Sequence, residues 1–117
     1  MSIIWNYNAR KFRAEGSDPG LFNDERTVFS FDQDQDIVSG SYQGAEVIHG
    51  LFMGLMDSDG VLEMRYLHVS RGGGLIAGQT RMTPEILDDG RYRLTSSWEH
   101  NAGGTGQGRS VLVQIQE

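Results

Sequence analysis

The chain has 117 residues, and its 16 acidic and 10 basic side chains give a formal net charge of −6. This length predicts a single domain over residues 1–117, and the acidic balance argues against a nucleic-acid partner because it repels phosphate backbones. Cysteine is absent, which excludes disulfides, zinc thiolates and cysteine nucleophiles.

The first six residues have no basic segment and no long apolar run. They predict no signal peptide. No run in the sequence approaches the ~18 apolar residues of a membrane helix, so we expect a cytoplasmic protein without a membrane partner. Trp5 and Tyr7 either plug one end of the fold or belong to a loose terminus. After them, Gly, Asp and Pro separate short β-rich runs. The predicted strands are Arg10–Glu15, Arg26–Asp32, Ile37–Gln43, Val47–Met56, Val61–Val69, Leu75–Thr83, Tyr92–His100 and Arg109–Gln116.

The strongest local signal is the pair of apolar runs on either side of residues 57–60, whose sequence is DSDG. An Asp/Gly turn between β-rich runs predicts an antiparallel hairpin. On its second strand, Glu63 and Arg65 share the outer face and are predicted to form a surface charge pair. Pro84 predicts the end of a strand or an edge, with a single helical turn over residues 84–87 as an option. The last strand places Val111, Val113 and Ile115 on one face.

About eight strands joined by short turns favour a meander, and closing the meander into a barrel removes both exposed edges. The sequence therefore predicts an all-β fold, a single antiparallel up-and-down β-barrel of about eight strands, calycin/lipocalin-like. Glycines within the strands suit the bends that closure requires. They are Gly40, Gly50, Gly54 and Gly78.

Two motifs resemble cofactor sites without the context that such sites need. Residues 103–110, GGTGQGRS, approach a phosphate-binding loop, but a β-like run follows where a helix is required, so a hairpin loop is predicted. Residues 32–36, DQDQD, open like a calcium loop but are not followed by its glycine and glutamate. The three histidines, His49, His68 and His100, show no metal-ligand spacing. We expect no cofactor and no metal.

Polar or amphipathic side chains lie on strand faces that are otherwise apolar. The predicted ligand-binding residues are Tyr42, Tyr66, His68, Thr80, Ser96 and Trp98. Either they surround a small-molecule site in or at the mouth of the barrel, or the rings close a packed core and turn their polar tips to the rim. Acid–base catalysis by His68 or His100 is an alternative. A third interpretation is an interaction module, a homodimer formed through the outer strand face of Leu51, Met53 and Leu55.

Five segments carry a resemblance to a known family. They are GSYQG at 40–44, IHGLFMG at 48–54, LEMRYLHV at 62–69, the Pro84-Glu85 step and RLTSSWEH at 93–100 with the Gly-rich loop that follows. From about Arg10 on, the chain resembles short bacterial proteins often labelled N-acetylglutamate synthase. The label implies acetyl transfer from acetyl-CoA, but the coenzyme A turn of such enzymes has no counterpart here, so we expect no such activity. The expected fold of this family is similar to the lipocalin and avidin-like barrels. The Gly40-Ser-Tyr42 sequence also resembles a Gly-Thr-Tyr sequence of avidin-like proteins, in which the tyrosine points into the ligand cavity.

Overall fold

A computed structural model describes residues 4–15, 26–44, 46–104 and 106–116. Within these ranges, eight antiparallel strands form a closed barrel in sequence order, and the last strand pairs with the first. The strands are β1 (Arg10–Glu15), β2 (Val28–Asp34), β3 (Ile37–Gly44), β4 (Val47–Met56), β5 (Leu62–Ser70), β6 (Leu75–Ile86), β7 (Tyr92–Ala102) and β8 (Gln107–Gln114). The predicted all-β, up-and-down barrel is confirmed. Residues 16–20, whose Pro19 and flanking glycines predict a loop, lie outside the described residues.

Across the described ranges, no helix has the length and apolar character needed to cross a membrane.

Strand β6 continues through Pro84 to Ile86, so the optional helical turn over residues 84–87 is wrong. Pro84 pairs with Leu94 on β7, whereas the β5–β6 register ends at the Leu62–Met82 pair. Beyond Met82 the strand is therefore paired on one side, and a proline without an N–H is tolerated at such a margin. The prediction of an edge position at Pro84 is correct.

The apolar face predicted for the last strand is its outer face. Val111 and Val113 are half-buried on the outside, and Ser110 and Leu112 point into the barrel. Alternation alone could not decide this, because both faces of the strand carry apolar residues. Pairing with β7 settles the phase, since Leu112 lies opposite the buried Leu94.

Large inward-facing rings lie over glycines on the neighbouring strand. The ring–glycine pairs are Tyr42–Gly50, Tyr66–Gly78, Phe52–Gly40 and Trp98–Gly108. A Cβ atom added at Gly50 would lie 2.5 Å from Cζ of Tyr42, and one added at Gly78 would collide with the Tyr66 hydroxyl. These glycines therefore provide room for rings inside the barrel, a role beyond the bends expected for them.

The N-terminal segment closes one end of the barrel. Tyr7 is fully buried, and its hydroxyl donates to the Gly60 carbonyl at 2.6 Å while its backbone N–H donates to Gln33 Oε1 at 2.8 Å. Trp5 packs edge-on against Tyr92, with ring centroids 5.2 Å apart. The plug predicted as one of two options is confirmed, and it lies at the end that carries the β2–β3, β4–β5 and β6–β7 turns.

The ring–glycine contact can be tested with two alanine substitutions. Gly50→Ala places a methyl group against the Tyr42 ring and should lower the free energy of unfolding by about 1–3 kcal/mol through overpacking. Gly74→Ala is the matched control, because nothing lies within 4 Å of a Cβ at that position, and it should change stability by less than about 0.5 kcal/mol. Urea-induced unfolding compares the two, and equal stabilities would contradict the account.

Candidate functional site

The six side chains predicted as ligand-binding residues all point into the barrel, and none is more than 6 % exposed. They come from β3, β5, β6 and β7, and His100 joins them from β7 with 9 % exposure. We call these seven residues the polar layer. Its members are Tyr42, Tyr66, His68, Thr80, Ser96, Trp98 and His100.

The polar layer lies toward the end of the barrel opposite the plug. His68 is two residues from the end of β5, and His100 is two residues from the end of β7. These strand ends lead into the β5–β6 and β7–β8 turns, so the histidines lie nearest to this end. Near it, the ladders contain irregularities between Tyr42 and Gly44, between Val47 and His49, and between Ala77 and Gly78. Irregularities of this kind increase twist and re-aim side chains.

Short hydrogen bonds connect the polar layer across strands. The Tyr42 hydroxyl lies 2.6 Å from His68 Nδ1, and the Tyr66 hydroxyl lies 2.7 Å from His100 Nδ1. Thr80 Oγ1 and Ser96 Oγ are 2.7 Å apart in a third, hydroxyl–hydroxyl contact. Two tyrosine–histidine pairs therefore stand side by side, with the imidazole centroids 6.3 Å apart.

Aromatic contacts fix the rings that carry these hydrogen bonds. Tyr42 stacks on Phe29 with centroids 5.1 Å apart, and Trp98 lies against His100 at 4.9 Å. The phenol of Tyr42 also meets the His68 imidazole edge-on at 5.5 Å. Offset and edge-to-face pairs of this kind hold rings in one orientation, so the hydroxyl and imidazole groups have defined positions.

Burial sets the protonation of the pairs. It lowers the pKa of His68 to about 4, with the neighbouring His100 adding to the effect, and burial also lowers the pKa of His100. Burial raises the pKa of both Tyr42 and Tyr66 above the usual tyrosine range, with smaller contributions from Tyr66 and Glu99 respectively. At neutral pH each pair is thus a protonated phenol beside a neutral imidazole, and we assign the phenol as donor to Nδ1.

This arrangement can bind polar groups, and it limits the acid–base chemistry available. A neutral imidazole whose Nδ1 accepts a hydrogen bond carries its own proton on Nε2. With a pKa of about 4, His68 is a base but not an acid near neutral pH. Both histidines are buried inside the barrel, so the location required by the catalytic alternative is met. Among the described residues, no group of three or more histidine and carboxylate side chains could hold a metal.

Beneath the polar layer the barrel is packed. Tyr42, Tyr66 and Thr80 line an internal cavity of about 20 Å³, together with apolar side chains. Such a volume accommodates roughly one water molecule, whereas small-molecule sites occupy about 300–1,000 Å³. This internal cavity is therefore too small to hold a small-molecule ligand.

The sequence-based selection missed one member of the neighbourhood. Ser110 is 1 % exposed, lies directly opposite Ser96, and its Oγ has no hydrogen-bond partner among the described residues. The sequence of β8 does not single it out, because Val111 and Val113 indicate that the opposite face of the strand is the apolar one. The pattern on β7 contained the signal, since a buried serine at Ser96 requires a polar or small neighbour on β8.

Comparison with known proteins places the barrel among described families. A family model described as "Avidin-like protein" matches residues 5–115, almost the whole chain. A search of curated proteins finds no match.

The buried histidines predict a pH-dependent stability. Because His68 has a pKa of about 4 in the folded state against 6.5 for the ordinary group, the unfolded chain binds more protons between these values. The free energy of unfolding should therefore fall as the pH drops from 6.5 to 4, by at most about 1.4 kcal/mol per pH unit for this histidine. Urea titrations at several pH values measure the slope.

Two histidine substitutions separate this effect from that of the carboxylates, which also titrate at low pH. His68→Gln should flatten the dependence above pH 4, and His49→Gln, which alters an exposed histidine, should leave it unchanged. Identical slopes in the two variants would show that His68 is not the group responsible.

Proposed function

This chain belongs to the avidin-like protein family, and from that premise we propose that it binds a small molecule at the end of the barrel opposite the plug. Avidin-like barrels typically bind small molecules. The observation that carries the proposal for this chain is the polar layer, in which hydroxyl, imidazole and indole groups converge on the barrel axis. We place this binding in the cytoplasm.

Each part of the polar layer has a distinct contribution to such a site. The Trp98 and Tyr66 rings offer flat apolar surface, and the tyrosine–histidine pairs offer hydrogen-bonding groups with fixed orientation. Preorganised groups of this kind lose little freedom when a ligand binds, which favours affinity. Because the space beneath is about 20 Å³, the ligand lies on the mouth side of the layer, next to His100, its most exposed member at 9 %.

Acetyl transfer is not part of this proposal. The nearest match to a coenzyme A turn, the Arg71-Gly72-Gly73-Gly74 segment, joins two antiparallel strands. A pyrophosphate-binding turn instead opens a helix, whose N-terminal N–H groups hold the phosphates.

The two tryptophans give a matched test of ligand binding, because Trp5 lies at the plug and Trp98 in the polar layer. Native mass spectrometry of freshly purified protein should show a retained adduct of small-molecule mass. Trp98→Phe should reduce the occupied fraction by about tenfold, the effect of losing one good contact, while Trp5→Phe should leave it unchanged. No adduct in the parent protein, or equal retention by both variants, would refute the proposal.

Homodimerisation is a second candidate, favoured by an apolar area on the outside of β3, β4 and β5. Leu51 (52 % exposed) lies opposite Leu67 (47 %), and Leu55 (57 %) lies opposite Ile37 (46 %). Met53, between the two leucines on the same strand, is 61 % exposed. Contiguous apolar area of this kind marks interaction sites, and avidin-like proteins often form oligomers. We propose that a second copy of the chain covers this face.

Charge introduced into the face tests the dimer. Leu51→Glu should weaken self-association at least about tenfold, because it buries an unpaired carboxylate between the subunits. Ile86→Glu is the control, since Ile86 is 45 % exposed but lies near the end of β6, outside this face. Sedimentation equilibrium at several protein concentrations measures the association. A parent protein that stays monomeric throughout would exclude a dimer.

A further inference from the structure

The outer wall of β5–β8 carries a polar groove, which Thr80 and Trp98 of the polar layer border from the inside and whose exposed side chains none of these roles uses. Its volume is about 550 Å³, within the range of small-molecule sites. Its lining includes Arg65, Arg81 and Arg109, three of the ten basic residues of a chain whose net charge is −6. Basic side chains that converge on one groove of an acidic protein point to a ligand of opposite charge.

Strand register places two of these arginines on either side of a small hydroxyl residue. Arg81 pairs with Ser97, and Ser97 pairs with Arg109, so the two arginine Cα atoms are separated by two strand spacings, about 10 Å. All three residues are exposed on the outer face. Between two long guanidinium side chains, the short serine leaves a gap with a hydroxyl at its base.

Glu63 contacts Arg81 on the side opposite Ser97. It lies directly opposite Arg81 on β5 and forms an ion pair with Arg81 Nη1. The predicted Glu63–Arg65 pair is therefore wrong, because direct cross-strand neighbours lie closer than residues two apart on one strand. A guanidinium has five N–H donors, so anchoring by Glu63 leaves others to face Ser97.

The next row of the groove has a different chemistry. Arg65 pairs with Gln79, Gln79 pairs with Glu99, and Glu99 pairs with Gln107. This row is displaced by two residues along the strands, or about 7 Å. Its carboxylate accepts hydrogen bonds from hydroxyl or amine groups, and its amides both donate and accept. The groove thus has one row in which Arg81 and Arg109 flank Ser97 and can bind an anion, and a second row in which Arg65 and Glu99 balance in charge and Glu99 accepts from donors.

We propose that this groove binds a small molecule with a phosphate or carboxylate group at one end and hydroxyl or amine donors about 7 Å away. The guanidinium groups of Arg81 and Arg109 bind the oxyanion above Ser97, in the fork geometry that suits phosphate and carboxylate oxygens. Glu99 accepts from the donors at the other end. Glu63 and Glu99 disfavour a long polyanion, so the occupant is a small molecule and not a nucleic acid.

Titration of the ¹⁵N-labelled protein with three probes tests the proposal. Glucose 6-phosphate should produce saturable shifts of the Ser97 and Arg109 amides, inorganic phosphate should produce the same shifts with lower affinity, and glucose should produce none. Arg109→Gln and Ser97→Glu should each weaken glucose 6-phosphate binding by about tenfold or more, through a lost charged hydrogen bond or a carboxylate in the gap.

Arg93→Gln is the control for a general effect of charge. It removes the same charge from an arginine on the outer face of β7 that is paired with Glu85 and does not line the groove, so it should leave affinity unchanged. Equal weakening in Arg93→Gln and Arg109→Gln would indicate an adventitious ion only and would overturn the proposal. So would the absence of glucose 6-phosphate shifts at millimolar concentration in the parent protein.

Discussion

The packing of aromatic rings over glycines on adjacent strands is the constraint on which the rest of this barrel depends. A barrel of eight strands has an interior just wide enough for side chains to fill. A ring placed there needs space on the neighbouring strand, and at Gly50 and Gly78 a side-chain carbon would occupy the position of a tyrosine ring or its hydroxyl. The glycines thus determine where Tyr42 and Tyr66 lie, and with them the position of their hydroxyl groups.

The same packing explains why the two ends of the barrel differ. At one end Tyr7 is buried with its hydroxyl bonded to a backbone carbonyl, so the end is closed by a satisfied aromatic plug. At the other end the tyrosine hydroxyls meet imidazoles. Burying a polar group without a hydrogen-bond partner lowers the stability of the fold. Because each tyrosine hydroxyl bonds a histidine, the polar layer is compatible with a folded core. The barrel therefore has a polar layer toward one end and an aromatic plug at the other.

Much of this could be predicted from the sequence. Alternating apolar residues between Gly and Asp turns identified the eight strands, and the same alternation placed the six predicted ligand-binding side chains, which belong to the seven-residue polar layer, on inward faces. The partners within the layer could not be predicted, because the Tyr42–His68 contact depends on how β3 and β5 approach each other across the barrel. Which face of β8 points inward could not be decided around Ser110, because both faces of that strand carry apolar residues. Whether Pro84 ends β6 or lies within it at an unpaired edge could not be decided either, because this depends on how far β5 extends beside it.

The outer surface of the barrel is also divided into an apolar and a polar part. Leu51, Met53 and Leu55 make one side apolar, whereas the wall of β5–β8 is lined by arginine, glutamate and glutamine. Because inward positions alternate with outward ones, these surfaces vary without disturbing the core. One barrel therefore carries an internal polar layer, an exposed apolar area and an external polar groove.

Two buried tyrosine–histidine pairs are the centre of the polar layer, and their neutral imidazoles accept hydrogen bonds at Nδ1. Long-range ¹H–¹⁵N correlation spectra of the imidazole nitrogens, recorded across a pH titration, test this most directly. The account predicts that His68 and His100 both show an unprotonated Nδ1 and a protonated Nε2 at neutral pH, and that His68 titrates near pH 4. A protonated Nδ1, or a His68 that titrates near its ordinary value of 6.5, would contradict it.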